Sequence, residues 1–254
     1  MKQVKIYDVS QLKVGDYIKY DTGVSTVGDN GITTCRVLYS LDSPYGLQII
    51  SNQTLGEKVT LGGADWETAK ESYNKAIETL NQEAEKYINL KYAFDARSVG
   101  SIPKVQNGMF VDKNKIIDNE ENVVSNTVIL PISEWTSYTR PTTWTNDDTG
   151  CYEEDFNYIS DYEALGTTMR SINEQYWLAS HITEKNATRI RFNTRTVNTD
   201  GELYSGDIGY IGRNGGLQGY ATPYGIRPCI SLKANVINII NGDGTEESPY
   251  IIEK

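Results

Sequence analysis

Histidine and cysteine are sparse in this chain, and their spacing assembles no reaction centre. There is one histidine, His181, and there are three cysteines, Cys35, Cys151 and Cys229. A hydroxyl or thiol nucleophile needs a base within hydrogen-bonding reach. Ser180 and His181 are adjacent in a segment that reads as a strand, where neighbours point to opposite faces, so neither can serve the other. No two cysteines stand at metal-ligand spacing, and a single histidine does not complete a zinc site with them. The odd count permits either one disulfide and a free thiol or three free thiols. Glu153, Glu154 and Asp155 read as a solvated helix start rather than a paired acid and base. Trp144-Thr145-Asn146-Asp147-Asp148 reads as a capped loop, and Asn241-Gly242-Asp243-Gly244 as a turn too short for a calcium loop. The expectation is a protein without catalytic residues, metal or cofactor.

What remains is surface chemistry. The 254 residues carry a formal charge of −10, which argues against a nucleic-acid partner, and no Lys/Arg cluster of the kind phosphate binding requires appears. Eighteen tyrosines against four phenylalanines is an unusual aromatic balance. Tyr packs its ring while its hydroxyl stays wet. The excess therefore fits tyrosine in place of phenylalanine on strand faces, and equally a contact surface of rigid amphipathic rings. Met1 to Ser10 contains no apolar run, so no signal peptide is expected there. No segment approaches the length of a membrane span.

The elements that must position this chemistry are read from periodicity. Val14 to Tyr20, Cys35 to Leu41 and Gly46 to Ser51 alternate as strands of an antiparallel meander, the last two joined by a turn at Ser43-Pro44-Tyr45-Gly46. Trp66, Ala69, Tyr73, Ile77, Leu80, Ala84, Tyr87 and Ile88 recur at helical steps, which predicts one long amphipathic helix from about Asp65 to Asn89, capped by Asp65. Short strands are expected at Met109 to Val111 and Val123 to Leu130, a short helix after Ser133, and another over Asp155 to Met169. Tyr176 to Ser180 reads as a strand. Thr188 to Asn193 alternates strictly, and Asn198-Thr199-Asp200-Gly201 supplies a hairpin turn before Leu203 to Tyr210. Tyr224 to Leu232 is a further strand, with closing segments at Val236 to Ile240 and Pro249 to Ile252. The absence of a Pro- or Ser-rich linker favours one domain over residues 1–254. Within it lie a meander (1–60), a helical and loop region (61–175) and a closing sheet (176–254).

Tyr176-Trp177-Leu178-Ala179-Ser180, then Asp200-Gly201, then Tyr224-Gly225-Ile226-Arg227-Pro228-Cys229-Ile230-Ser231-Leu232 form an ordered set. It resembles the closing half of bacterial C-type-lectin-like domains, a group that includes the formylglycine-generating-enzyme-like fold and the variable proteins of diversity-generating retroelements. The set resembles more closely an uncharacterised family of surface, prepilin-like and phage-tail proteins of gut Firmicutes. Val14-Gly15-Asp16-Tyr17, Ala96-Arg97-Ser98-Val99-Gly100 and the tail around Gly242-Asp243-Gly244-Thr245 also fit that family. The resemblance implies an α+β, C-type-lectin-like fold with one long amphipathic helix and antiparallel sheets. It implies a bacterial surface or extracellular setting and a glycan or surface protein of a host or neighbouring cell as partner.

In such a fold the interval between the two closing motifs forms the ligand face. Here it offers Arg189, Arg191, Asn193, Arg195, Asn198, Asp200, Tyr204, Asp207, Tyr210, Arg213, Asn214, Gln218 and Tyr220. Guanidinium forks beside aromatic platforms suit sugars or protein surfaces, although polar outward faces also occur on any solvated antiparallel sheet. Trp177 and Arg227 are expected to be scaffold pins, with Pro228 holding Arg227 extended. The departures matter too. Formylglycine-generating enzymes use a nearby pair of cysteines, whereas only Cys229 lies on a matching strand. Animal C-type lectins use a Glu-Pro-Asn triplet for calcium, and none occurs here. The expected role is a non-enzymatic binding module, which the resemblance extends to a diversity-generating-retroelement variable protein; a pilin-like or tail-fibre subunit is the alternative, and a formylglycine-generating-enzyme-like enzyme ranks behind both. Nothing in the sequence sets the oligomeric state.

Overall fold

The computed structural model describes residues 8–43, 46–99, 122–124, 129–131, 151–153, 172–185, 189–201, 203–212 and 216–254. β1 (Tyr17–Asp21) pairs antiparallel with β2 (Ile32–Tyr39), and β2 with β3 (Gln48–Ser51). This is the meander expected from the alternation of the N-terminal segment. It does not stand alone. β14 (Pro228–Leu232) inserts between β3 and β5 (Ala93–Ser98), antiparallel to both. On the other side β16 (Tyr250–Glu253) runs parallel to β1 and carries β15 (Asn238–Asn241) at the edge. The resulting seven-stranded sheet, β15-β16-β1-β2-β3-β14-β5, joins the two ends of the chain.

Both faces are covered over β3 and β14, whose residues are buried without alternation, whereas β1, β15 and β16 alternate with one face toward water. Ile18, Cys35, Ile49 and Ile230 enter one core with Tyr20, Tyr92 and Leu12. Their strand neighbours Leu38, Ile50 and Cys229 enter another with Tyr176 and Leu178. Cys35 and Cys229 thus belong to different cores, and both are free, buried thiols. Burial pushes each thiol's pKa up, which keeps it protonated and unreactive.

The second sheet has the order β12 (Leu217–Gly219), β11 (Leu203–Gly212), β10 (Arg189–Val197), β9 (Tyr176–Lys185) and β8 (Cys151–Glu153). Two small pairs complete the strands: β13 (Ala221–Tyr224) with β4 (Val59–Gly62), and β6 (Asn122–Val124) with β7 (Ile129–Pro131). A 3-10 turn at Val9–Gln11 precedes β1. The strand expected at Met109 to Val111, the helix after Ser133 and the Asp155 to Met169 segment lie outside the described residues.

The long helix is not there. Two short helices, α1 (Trp66–Asn74) and α2 (Ala76–Glu85), meet at Lys75, whose ψ of 4° leaves the helical range. Asp65 caps the first as expected, accepting from the Thr68 N–H at 2.9 Å. The three- and four-residue spacing of buried residues runs unbroken across the joint, so periodicity could not reveal it. The physical cause is divided support. α1 lies against β4, β11 and β12, whereas α2 lies against β5 and β9. The Ser72 hydroxyl also accepts from the Gly62 N–H at 2.6 Å, which fastens the end of α1 to β4. Strand outweighs helix among the described residues, and the architecture is mainly β. The α+β fold built round one long amphipathic helix is corrected accordingly.

Trp177 ties these layers together. Its side chain is fully buried, and its indole N–H donates to Val59 O at 2.9 Å, linking β9 to β4. Its ring lies 4.7 Å from that of Tyr224 on β13. On β11 it faces Gly206, where an added Cβ would come within 2.3 Å of the indole. Arg227, equally buried, donates from Nε to Ser51 O at 2.8 Å and from Nη1 to the Tyr176 hydroxyl at 3.1 Å. Its guanidinium also lies over the Tyr176 ring at 5.0 Å. Arg227 therefore holds backbone and a phenol rather than a ligand.

Gly206→Ala should lower unfolding stability by about 1–3 kcal/mol, because the indole is held by its hydrogen bond and cannot yield freely. Urea unfolding followed by tryptophan fluorescence reads the loss.

Candidate functional site

The five-stranded sheet has an inner face toward α1 and an outer face away from it. Inward residues of β10 and β11 are buried: Phe192 stacks near Trp66 and Tyr73, with centroids 5.7 and 5.5 Å away, and Ile208 and Ile211 join the same core. On β12, Gly219 admits the start of α1, since a Cβ there would lie 2.3 Å from Asp65 O. Close approach on the inside fixes which residues the strands display outside.

Register then sets the outer rows. Arg191 on β10 stands opposite Tyr210 on β11, which stands opposite Gln218 on β12. On the other flank Arg191 is in register with Glu184 of β9. One row on, past a bulge in β11, Asn193 stands opposite Asp207, and two residues further Arg195 faces Ser205. Strand alternation puts Arg189 on the same face as Arg191.

The contacts agree with this layout. The Arg189 guanidinium lies over the Tyr210 ring at 5.6 Å, and the Tyr210 and Tyr220 rings have centroids 6.1 Å apart, tilted by 36°. Arg191 Nη1 and Asp207 Oδ1 are 3.8 Å apart, an ion pair too long for a hydrogen bond. With its amide oriented to donate, Asn193 Nδ2 lies 2.8 Å from Asp207 Oδ1 and 3.1 Å from Phe192 O. The Thr222 hydroxyl donates to Asp207 O at 2.8 Å. Partial burial raises the Tyr220 pKa, Tyr210 and Asp207 raise it further, and Arg191 opposes them. These side chains therefore share one electrostatic neighbourhood.

The structure thus brings together Arg189, Arg191, Asp207, Tyr210, Gln218 and Tyr220. Asn193 belongs to the same patch but is wholly buried, so it braces Asp207 instead of meeting a ligand. Asn198 and Asp200 lie at the hairpin end: Asn198 Oδ1 accepts from the Asp200 N–H at 3.0 Å, and Gly201 adopts φ of 79°. From Arg191 that turn is about 20 Å along the strand. Tyr204 lies beside it and is 61% exposed. Arg195, partly buried, stands between the two ends. Arg213 and Asn214 lie outside the described residues.

Three residues of this region escaped the sequence reading. Thr222 and Tyr224 sit on β13, which pairs with the distant β4, and only that pairing brings them beside Asp207 and Trp177. Glu184 reaches its place opposite Arg191 only because β9 carries extra residues between its partners for Thr194 and Thr196. Simple alternation gave a signal for none of them. Among the described residues no group of three or more His, Cys, Asp or Glu could hold a metal ion. No helix among them is long and apolar enough to cross a membrane. No family model, curated protein or solved structure matches the chain. The lectin-like resemblance accordingly rests on the motifs that suggested it.

Burial raises the phenol pKa of Tyr220 and likewise of Tyr224, Tyr87 and Tyr20. In each case the folded state favours the neutral phenol more than the unfolded chain does. The stability this contributes is complete below about pH 10 and is lost as pH climbs through the folded-state values. Urea midpoints should hold steady at neutral pH and fall above about pH 10, with a shallower fall in Tyr20→Phe. A midpoint independent of alkaline pH would contradict the assignment.

Proposed function

We propose that this chain is a non-enzymatic ligand-binding module of a bacterial surface or phage-associated protein, with the outer face of the five-stranded sheet as its contact surface. The observation that carries the proposal is the outer row Arg191–Tyr210–Gln218, with Arg189 over one tyrosine ring and Tyr220 beside it. Rigid aromatic rings next to a guanidinium give contact area, directional hydrogen bonding and little entropy to lose, the features that recur at binding hot spots. Inward glycine and bulk support the row from behind, so it is preorganised. The sequence resemblance to lectin-like domains places a ligand face in this same interval. The extracellular setting, the glycan or protein partner and the link to diversified variable proteins follow from that resemblance.

A binding screen against glycans and bacterial or host surface proteins tests the reading. Binding should fall roughly tenfold or more in Tyr210→Ala, Tyr220→Ala and Arg191→Ala, with melting temperature little changed. Tyr204→Ala, at the far end of the sheet, should have a smaller effect, and chelators none. Binding that survives the first three substitutions would place the contact surface elsewhere.

A further inference from the structure

Resting on the binding-face reading above, we propose that the centre of the face recognises a carboxylate carried on a sugar ring, with Arg191 as its anchor. Arg191 is 32% exposed, and its charge is positioned by Asp207 at 3.8 Å without a hydrogen bond between them. Asp207 Oδ1 instead takes the Asn193 amide at 2.8 Å. Asp207 therefore stands beside the guanidinium as an ion-pair partner, and among the described residues none hydrogen-bonds to its planar N–H fork. A fork of that geometry is matched by a carboxylate, which it can bind through two parallel hydrogen bonds.

The surroundings select the carrier of that carboxylate. Tyr220, tilted against Tyr210, offers a ring in the same patch, and Gln218 adds an amide, while Arg189 lies over the Tyr210 ring and the Thr222 hydroxyl donates to Asp207 O. Aromatic faces with neighbouring polar groups suit the apolar side and the hydroxyls of a sugar ring. An acidic peptide fits less well. Extended peptides gain affinity by adding to a strand edge, which in this sheet is β12, whereas Arg191 lies on β10, paired on both sides. The protein's net charge of −10 repels anions at long range, so selection has to come from the fork at contact distance.

The test is calorimetric titration of the whole chain with oligosaccharides bearing galacturonate, glucuronate or sialate. Each is paired with the same oligosaccharide after reduction of its carboxyls to alcohols, and oligoglutamate of similar length serves as the peptide probe. At least one acidic oligosaccharide should bind, and its reduced form should bind roughly ten- to a hundredfold more weakly. Arg191→Gln should impose a similar loss on the acidic form and little on the reduced one. The reduced-sugar comparison uses the unaltered protein, so it stands even where a variant fails to fold. Equal binding of acidic and reduced forms would overturn the carboxylate while leaving the binding face intact. Oligoglutamate binding without oligosaccharide binding would assign the site to an acidic protein and overturn the sugar. If none of the probes binds, the inference fails, and the wider screen of neutral ligands still decides the binding-face reading.

Discussion

The fully buried indole of Trp177 is the contact on which the arrangement of the layers depends. Its N–H has a single good partner in the core, the Val59 carbonyl, and that bond fixes the distance between β9 and β4. Leaving a buried donor unpaired costs more than the net worth of an ordinary hydrogen bond, so the indole cannot drift. Its position then dictates the residues round it. β11 needs a glycine at 206, and Tyr224 must lie against the ring, which brings β13 alongside β4. Once β13 is placed, the chain leading into it puts Tyr220 beside Tyr210 and Thr222 beneath Asp207. The outer patch is thus a consequence of inner packing rather than a separate feature.

Arg227 plays the matching part for the larger sheet. A guanidinium without solvent requires acceptors and finds a backbone carbonyl and a phenol, joining β3 to the start of β9. Together the two residues clamp one sheet against the other at the same strand end, since Trp177 N also donates to Gly225 O at 2.9 Å.

Local pattern carried a good part of this into the sequence. The meander strands, the Asn198 to Gly201 hairpin and the buried nature of Trp177 follow from alternation, turn chemistry and residue type. Long-range pairing did not. Nothing local marks β16 as parallel to β1, or β14 as the strand that enters between β3 and β5. The single expected helix failed because side-chain spacing reports which face is buried, whereas the break at Lys75 reflects two supports lying in different directions. Asn193 illustrates the limit for the site. Its type and alternate position mark it as a surface contact, yet a bulge opposite it lets Asp207 close over it, and it ends as a buried brace.

The central claim is that the outer face of the five-stranded sheet, and not the seven-stranded one, meets the ligand. Backbone amide chemical-shift mapping with a ligand recovered from binding screens addresses it directly. Shifts should concentrate on β10, β11 and β12 around Arg191, Tyr210 and Gln218, with β15, β16 and β1 unmoved. Shifts centred on the seven-stranded sheet, with β10 to β12 silent, would contradict the account.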